Sequence, residues 1–312
     1  MNTDKKISRR DALKRMGAAV VCSAVASSGL LSFASCEAKG SKRVILYFTG
    51  TGNCLYVARQ IGGNDAELLS IPQLMKQKKF EIEADEIGIV YPIYGHMPPN
   101  MVRKFIKKAK LKADYLFAVL TYGNRKCNAV EIWDNIAKQA GKRFHYISTL
   151  IMVDNWLPNF DMNEQILIDK HIPENLQKIN ADLAERKHWH EPMSEEERQQ
   201  HNEFLERTGI DPDKGFALES RKCFTVTGAC IGCGACVDVC PRGNYSLTSQ
   251  GVSIQGECEY CFACIQNCPQ KAIRFIKSED GSFPTGTEKN PNARYRNEHV
   301  SLMDIKRANS QF

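Results

Sequence analysis

Past residue 36 the chain has no apolar run long enough to span a bilayer, so that part reads as water-soluble. It also lacks the charge imbalance that nucleic-acid binding requires. Lys and Arg number 42 against 36 Asp and Glu. Six of the basic residues (Lys5, Lys6, Arg9, Arg10, Lys14, Arg15) fall in the first 35 positions beside only Asp4 and Asp11, which leaves 36 basic and 34 acidic over the rest. No nucleic-acid partner is expected. Neither a Walker A loop nor G-x-G-x-x-G occurs after the first strand, which argues against a nucleoside triphosphate site and a typical dinucleotide fold. Hydrophobic residues at 43% and charged residues at 25% exclude a mostly disordered chain, and 312 residues suggest about two domains. What is abundant is cysteine. There are 13, eight of them packed into 39 consecutive residues, a density that means disulfides or metal.

The first 36 residues read as an address. A basic stretch precedes a run from Met16 to Cys36 that carries no charge and is mostly small and apolar. Ser8-Arg9-Arg10-Asp11-Ala12-Leu13-Lys14 resembles the twin-arginine export motif, with Ala12 where Phe is usual. Phe33-Ala34-Ser35-Cys36 resembles a lipobox, with Cys36 as the residue to be lipidated. These segments predict an exported protein at the outer face of a bacterial inner membrane or in the periplasm, handled by the twin-arginine translocase and held to the membrane only at its N-terminus. The alternative is an uncleaved N-terminal membrane anchor.

Arg43–Phe48 is a short run of strand formers, followed by Thr49-Gly50-Thr51-Gly52-Asn53 and then by a segment that places Leu55, Ala58 and Ile61 on one helical face. Strand, Gly/Thr loop and helix form a phosphate holder: glycines let backbone N–H groups converge, and the helix N-terminus adds positive potential. Further strands are expected at 66–71, 86–91, 115–121 and 144–152. Helices are expected at 99–109, 128–141 and 164–186, and a charged, solvated one within 191–207. This alternation predicts an α/β fold with a doubly wound, five-stranded parallel sheet, whose ligand sits at the carboxyl ends of the strands. His188-Trp189-His190 reads as a surface turn rather than a metal site. Loops at 92–98 and 121–125 leave strand ends beside the first loop.

The loop 49–54 resembles the flavodoxin phosphate loop, Ser/Thr-x-Thr-Gly-x-Ser/Thr, with Cys54 where a hydroxyl is usual. The resemblance covers roughly residues 42–155. It implies FMN, with Thr49, Gly50, Thr51, Gly52, Asn53 and Cys54 at the phosphate. Pro92 and Tyr94 on one side and Thr121, Tyr122 and Gly123 on the other would flank the ring. A thiol is a poorer donor than a hydroxyl, so Cys54 is expected to weaken the phosphate site.

Cys230-x2-Cys233-x2-Cys236-x3-Cys240-Pro241 recurs 28 residues later as Cys258-x2-Cys261-x2-Cys264-x3-Cys268-Pro269. Each run has the bacterial ferredoxin spacing, in which the fourth Cys ligates the other cluster. One 4Fe–4S cluster is assigned Cys230, Cys233, Cys236 and Cys268, and the second Cys258, Cys261, Cys264 and Cys240. Zinc sites use paired C-x2-C runs, and disulfide knots stabilise small secreted domains without a core, so neither fits as well. Cys127 and Cys223 match no ligand pattern and read as structural or exposed thiols.

The whole resembles a flavodoxin–ferredoxin fusion of the EFR type found in anaerobic bacteria, and Asn292–Asn297 is similar to that family's C-terminal segment. The implied division is a signal segment at 1–36, a flavodoxin-like domain with a helical extension at 42–190, a charged helical linker at 191–221, a small α+β ferredoxin domain with two 4Fe–4S clusters at 222–276, and a tail at 277–312. The implied function is electron transfer between FMN, the clusters and a redox partner protein that donates or accepts electrons. An FMN-dependent reductase of a small substrate, fed by the clusters, is the alternative. His96 is the one side chain near the ring loops suited to acid–base work, and no catalytic residue is assigned.

Overall fold

The computed structural model describes residues 42–78, 80–216, 218–249, 251–276 and 287–312. Arg9, Arg10, Cys36 and the rest of the expected signal segment lie outside the described residues, as do residues 277–286 of the expected tail. Among the described residues no helix is long and apolar enough to cross a membrane.

The main sheet contains β1 (Arg43–Tyr47), β2 (Glu67–Ser70), β3 (Glu86–Pro92), β4 (Tyr115–Tyr122), β5 (Tyr146–Ile151) and β6 (Trp189–His190). Their spatial order is β2-β1-β3-β4-β5-β6, and every neighbouring pair is parallel. Val44, Ile45 and Leu46 on β1 and Ile87, Ile89 and Val90 on β3 are almost wholly buried. Continuous apolar strands are what a sheet covered by helices on both faces requires. The order of the first five strands is that of the flavodoxin-like doubly wound sheet, with the switch point between β1 and β3.

The sheet has a sixth strand beyond the five expected, and it is the segment that reads as a surface turn. Trp189 donates its amide to the His145 carbonyl and Glu191 to that of Ile147, which adds Trp189–His190 to the free edge of β5. Two residues are too few to show a strand periodicity.

Helix α1 (Asn53–Gly62) buries Leu55, Ala58 and Ile61, the face expected. Helix α2 (Asn100–Lys108) is amphipathic, but its Arg103 is buried and donates to the carbonyls of Pro212 and Asp213. Helix α3 spans Ala129–Gln139. The helix expected over 164–186 is broken: a single turn at Met162–Gln165 is separated from α4 (Ile172–Ala184) by His171 in the left-handed region, with Pro173 opening the second piece. Helix α5 (Glu195–Thr208) begins in a capping box, Ser194 with Glu197, and is exposed along one side, with His201 buried on the other.

The cysteine-rich part contributes three short antiparallel pairs. They are β7 (Leu218–Glu219) with β11 (Glu257–Cys258), β8 (Phe224–Val226) with β12 (Ile273–Phe275), and β9 (Tyr245–Thr248) with β10 (Gly251–Ile254). Helices α6 (Ala235–Val239) and α7 (Ala263–Gln266) lie just before the fourth Cys of each run. This small α+β unit encloses a core of Phe224, Tyr245, Tyr260, Phe262, Ile273 and Phe275. Cys127 and Cys223 are both buried.

The described C-terminal residues do not hang free as a tail. Helix α8 (Leu302–Asn309) packs between α6 and the single turn Ile71–Leu74. Its Ile305 and Ala308 share one hydrophobic core with β1, β3 and β4 and with Val239, Cys261 and Ala263 of the cysteine-rich unit. Glu259 of that unit accepts the Met101 amide at 3.1 Å, at the N-terminus of α2, where a carboxylate is favoured.

Candidate cofactor cleft and cysteine sets

The loop after β1 holds its shape with its own side chains. Gly52 donates its amide to Thr49 Oγ1 at 3.1 Å, and Thr51 Oγ1 accepts from Asn155 Nδ2 at 2.8 Å. Gly52 sits at φ 100° and is the N-cap of α1, which receives no side-chain cap hydrogen bond. The first amides of a helix have no intrahelical partner, and here they open beside the cleft, so the arrangement fits an anion held by backbone N–H groups. Gly50 lies against the backbone of Cys261: a side chain added there would collide with the Cys261 carbonyl oxygen.

Three loops leave β1, β3 and β4 side by side and enclose a cleft of about 650 Å³. Thr49, Gly50, Thr51, Asn53, Cys54, Pro92, Tyr94, Thr121, Tyr122 and Gly123 all line it; Gly52 does not, although it is part of the same loop. Ile93 donates to the Thr121 carbonyl at 2.7 Å, which fixes the second loop against the third. Tyr94 and Tyr122 are half-buried. Burial raises both phenols, so they stay neutral. The cleft volume is in the range of small-molecule sites.

Cys54 makes a contact across the cleft. Its Sγ lies 3.1 Å from Thr121 Oγ1, which ties the first loop to the third. Burial pushes this thiol up to about 12, opposed by the Thr121 contact, so it is a neutral thiol.

Several walls of the cleft were not anticipated from the sequence. The segment after β5 brings Asp154, Asn155, Trp156 and Phe160, and α5 brings Phe204 and Arg207. Tyr260 and Phe262, which flank Cys261 in the chain, form the wall shared with the cysteine-rich unit. The aromatic residues between the cysteines were the available sign. His96 also lines the cleft. Its backbone is left-handed at φ 66°, and its Nδ1 meets Nδ1 of the buried His201 at 3.1 Å.

The C-terminal segment braces the loop after β1. Tyr295 donates its hydroxyl to Asn53 Oδ1 at 2.6 Å, and Asn297 Nδ2 donates to the same oxygen at 3.2 Å. The Asn297 amide donates to the Thr51 carbonyl at 2.9 Å. Asn309, fully buried, donates to the carbonyls of Thr49 at 2.9 Å and of Val239 at 3.1 Å. Val239 directly precedes Cys240, so one side chain joins the two candidate sites. Sequence spacing gives no sign of contacts across more than 200 residues.

The eight cysteines fall into the two crossed sets of the ferredoxin pattern. Cys230, Cys233, Cys236 and Cys268 line one small cavity; Cys240, Cys258, Cys261 and Cys264 line another. Among the described residues no three His, Cys, Asp or Glu side chains converge as a site for a single metal ion. Four cysteines set around a cavity instead suit the corners of a cubane, and an all-sulfur donor set suits iron. Backbone amides point at sulfur in both sets: Asn244 to Cys240 at 3.4 Å, Tyr260 to Cys258 at 3.3 Å and Ala272 to Cys268 at 3.2 Å. The two sets differ in depth. Cys240, Cys261 and Cys264 are buried, whereas Cys233 is exposed beside Ile231, itself 65% exposed. The inner set adjoins the cleft and the outer set reaches the surface.

Residues 229–272 match the family described as 4Fe-4S dicluster domain. No curated protein matches the chain. Among solved structures, a flavoprotein from Lactobacillus acidophilus NCFM, determined in complex with FMN, is 17% identical, with a TM-score of 0.27 over 35% of this chain and 93% of that one. Two-electron reduced Megasphaera elsdenii flavodoxin is 17% identical, with a TM-score of 0.26 over 34% of this chain and 84% of its own. Streptococcus pneumoniae TIGR4 flavodoxin is 13% identical, with a TM-score of 0.31 over 46% and 98%. The likeness to these structures is slight, and the flavodoxin-like assignment rests on the strand order. The chain joins a flavodoxin-like domain to a 4Fe–4S ferredoxin-type domain, the combination of an electron-transfer protein.

Proposed function

We propose that this protein relays electrons between FMN in the cleft, two 4Fe–4S clusters on the crossed cysteine sets, and a redox partner protein. FMN supplies two-electron chemistry in single steps, and a cluster supplies one electron at a time. The loop 49–54 would hold the phosphate on backbone amides, and Tyr94 and Tyr122 would flank the ring. Cys240, Cys258, Cys261 and Cys264 would ligate the inner cluster, with Tyr260 and Phe262 excluding water from the space between it and the cleft. Cys230, Cys233, Cys236 and Cys268 would ligate the outer cluster, which meets the partner at the surface.

The observation that carries this reading is the packing of Gly50, in the phosphate loop, against the backbone of Cys261, an inner-set ligand. Protein purified without oxygen should contain about eight irons, four for each cluster, together with FMN. Stoichiometric zinc in place of iron would overturn the cluster assignment. We further propose export of the loaded, folded protein by the twin-arginine route, which carries folded proteins, with lipidation at Cys36. The ground is the resemblance of residues 8–14 and 33–36 to the two motifs. Replacing Arg9 and Arg10 with Lys should leave loaded protein in the cytoplasm.

A second reading, a reductase acting on a small molecule at the flavin, is favoured by one observation. The cleft is lined, besides the proposed flavin residues, by His96 of the loop after β3 and by Phe204 and Arg207 of α5.

A further inference from the structure

The side of the cleft lined by His96, Arg125, Phe204, Arg207 and Phe216 has a chemistry of its own. Its floor is the buried His96 imidazole, which packs against the rings of His201 and Phe204 at centroid distances of 5.3 and 4.6 Å. Phe216 adds a further aromatic wall. His96 Nδ1 is engaged by His201, so Nε2 is the nitrogen left to meet a ligand. When His201 donates its Nδ1 proton, His96 carries its own on Nε2 and is a neutral donor.

Two guanidinium groups share this end. Arg125 and Arg207 both line the cleft, and among the described residues neither forms an ion pair. The neighbouring cations do: Lys126 pairs with Glu191 and Glu197, and Arg198 with Glu131. The charges of Arg125 and Arg207 are felt at His96, where they join burial and His201 in depressing its basicity. Two exposed positive charges without an ion-pair partner among the described residues share the cleft with a neutral imidazole and flat apolar walls, a lining that complements a planar anion. Guanidinium groups bind carboxylates through paired hydrogen bonds.

We propose that this end of the cleft is a subsite for a small planar organic carboxylate, held by Arg125 and Arg207 at the mouth and by His96 Nε2–H at the floor. It is distinct from the phosphate site at Thr49–Cys54, and it deepens the reductase reading. It rests on FMN occupying the phosphate-loop end of the same cleft.

The test uses the full chain, purified without oxygen and saturated with FMN, with cinnamate as the probe and cinnamamide as its neutral counterpart, followed by titration calorimetry. Cinnamate should bind at least tenfold more tightly than cinnamamide. The R125Q/R207Q double variant should lose that preference and leave FMN affinity unchanged. The proposal is overturned if cinnamate does not bind, if the amide binds equally well, or if the double variant binds cinnamate as the wild type does. A loss of FMN affinity in the double variant would assign the arginines to the cofactor and also overturn it. A direct FMN titration of the wild type is read separately: failure there refutes the cofactor reading, while cinnamate binding still reports on the subsite.

Discussion

Gly50 and Cys261 touch through their backbones, so the turn that would hold a phosphate and a ligand of the inner cysteine set form one wall. A Cβ at Gly50 would strike the Cys261 carbonyl oxygen, and the clash is with backbone, which cannot swing away. Gly50→Val should therefore weaken FMN binding at least tenfold and also disturb the inner cluster's electron paramagnetic resonance signal. Gly228→Ala, where an added Cβ meets nothing within 4 Å, is the control and should change neither. Normal FMN affinity and an unchanged signal in Gly50→Val would refute the shared wall.

The crossed ligand sets predict which cluster each fourth cysteine serves. Cys240→Ser should impair the inner cluster and Cys268→Ser the outer one, each lowering iron from about eight to about four per chain. Because Cys233 and Ile231 are exposed, the Cys268 variant should also slow reduction by an external protein. Loss of the outer cluster on replacing Cys240 would show that the runs do not cross.

How much of this was legible in the sequence follows from how local each signal is. The cysteine sets were read directly, because ligand spacing is written along the chain. The turn after β1 was equally clear, since a strand, Gly-Thr-Gly and a helix follow one another. Trp189–His190 was missed as a strand because two residues carry no periodicity. Asn309 was missed because a buried amide that bridges Thr49 and Val239 depends on contacts 260 and 70 residues away. The role of Cys54 was also hidden. A motif shows which residue replaces a hydroxyl but not that its sulfur turns to Thr121.

That last contact yields a test of its own. The motif alone predicts that Cys54→Thr restores a phosphate donor and tightens FMN. With the side chain committed to Thr121, the substitution should change FMN affinity by less than about threefold, well below the tenfold that 1.4 kcal/mol would give. A tenfold tightening would show that the side chain at position 54 reaches the phosphate.

Asn309→Ala should be costly for its size. It leaves two buried carbonyls, Thr49 O and Val239 O, without that donor, a penalty of about 1–3 kcal/mol for each group left unpaired. The thermal midpoint should fall by several degrees and FMN affinity should drop with it. An unchanged midpoint would mean that the C-terminal segment does not brace the loop.

The His96–His201 pair predicts a pH dependence. Burial, His201, Arg125 and Arg207 lower His96 from an ordinary 6.5 to about 3. Burial lowers His201 too, partly offset by Glu131. Both are neutral when folded, so the unfolded chain takes up more protons than the native state between those limits. Stability should be complete above about pH 6.5 and be lost as the pH falls from there toward 3. Denaturation midpoints of wild type and His201→Gln should converge at low pH as this contribution disappears. A constant difference across that window would contradict it.

The account depends most on three redox groups occupying one chain, and an anaerobic reductive titration of the purified protein, followed by absorbance, tests this directly. Full reduction should consume about four electrons per chain, one for each cluster and two for the flavin, with both the flavin bands and the broad iron–sulfur absorbance bleaching. Consumption of about two electrons with no flavin band would leave a two-cluster ferredoxin on an empty flavodoxin-like scaffold and contradict the relay.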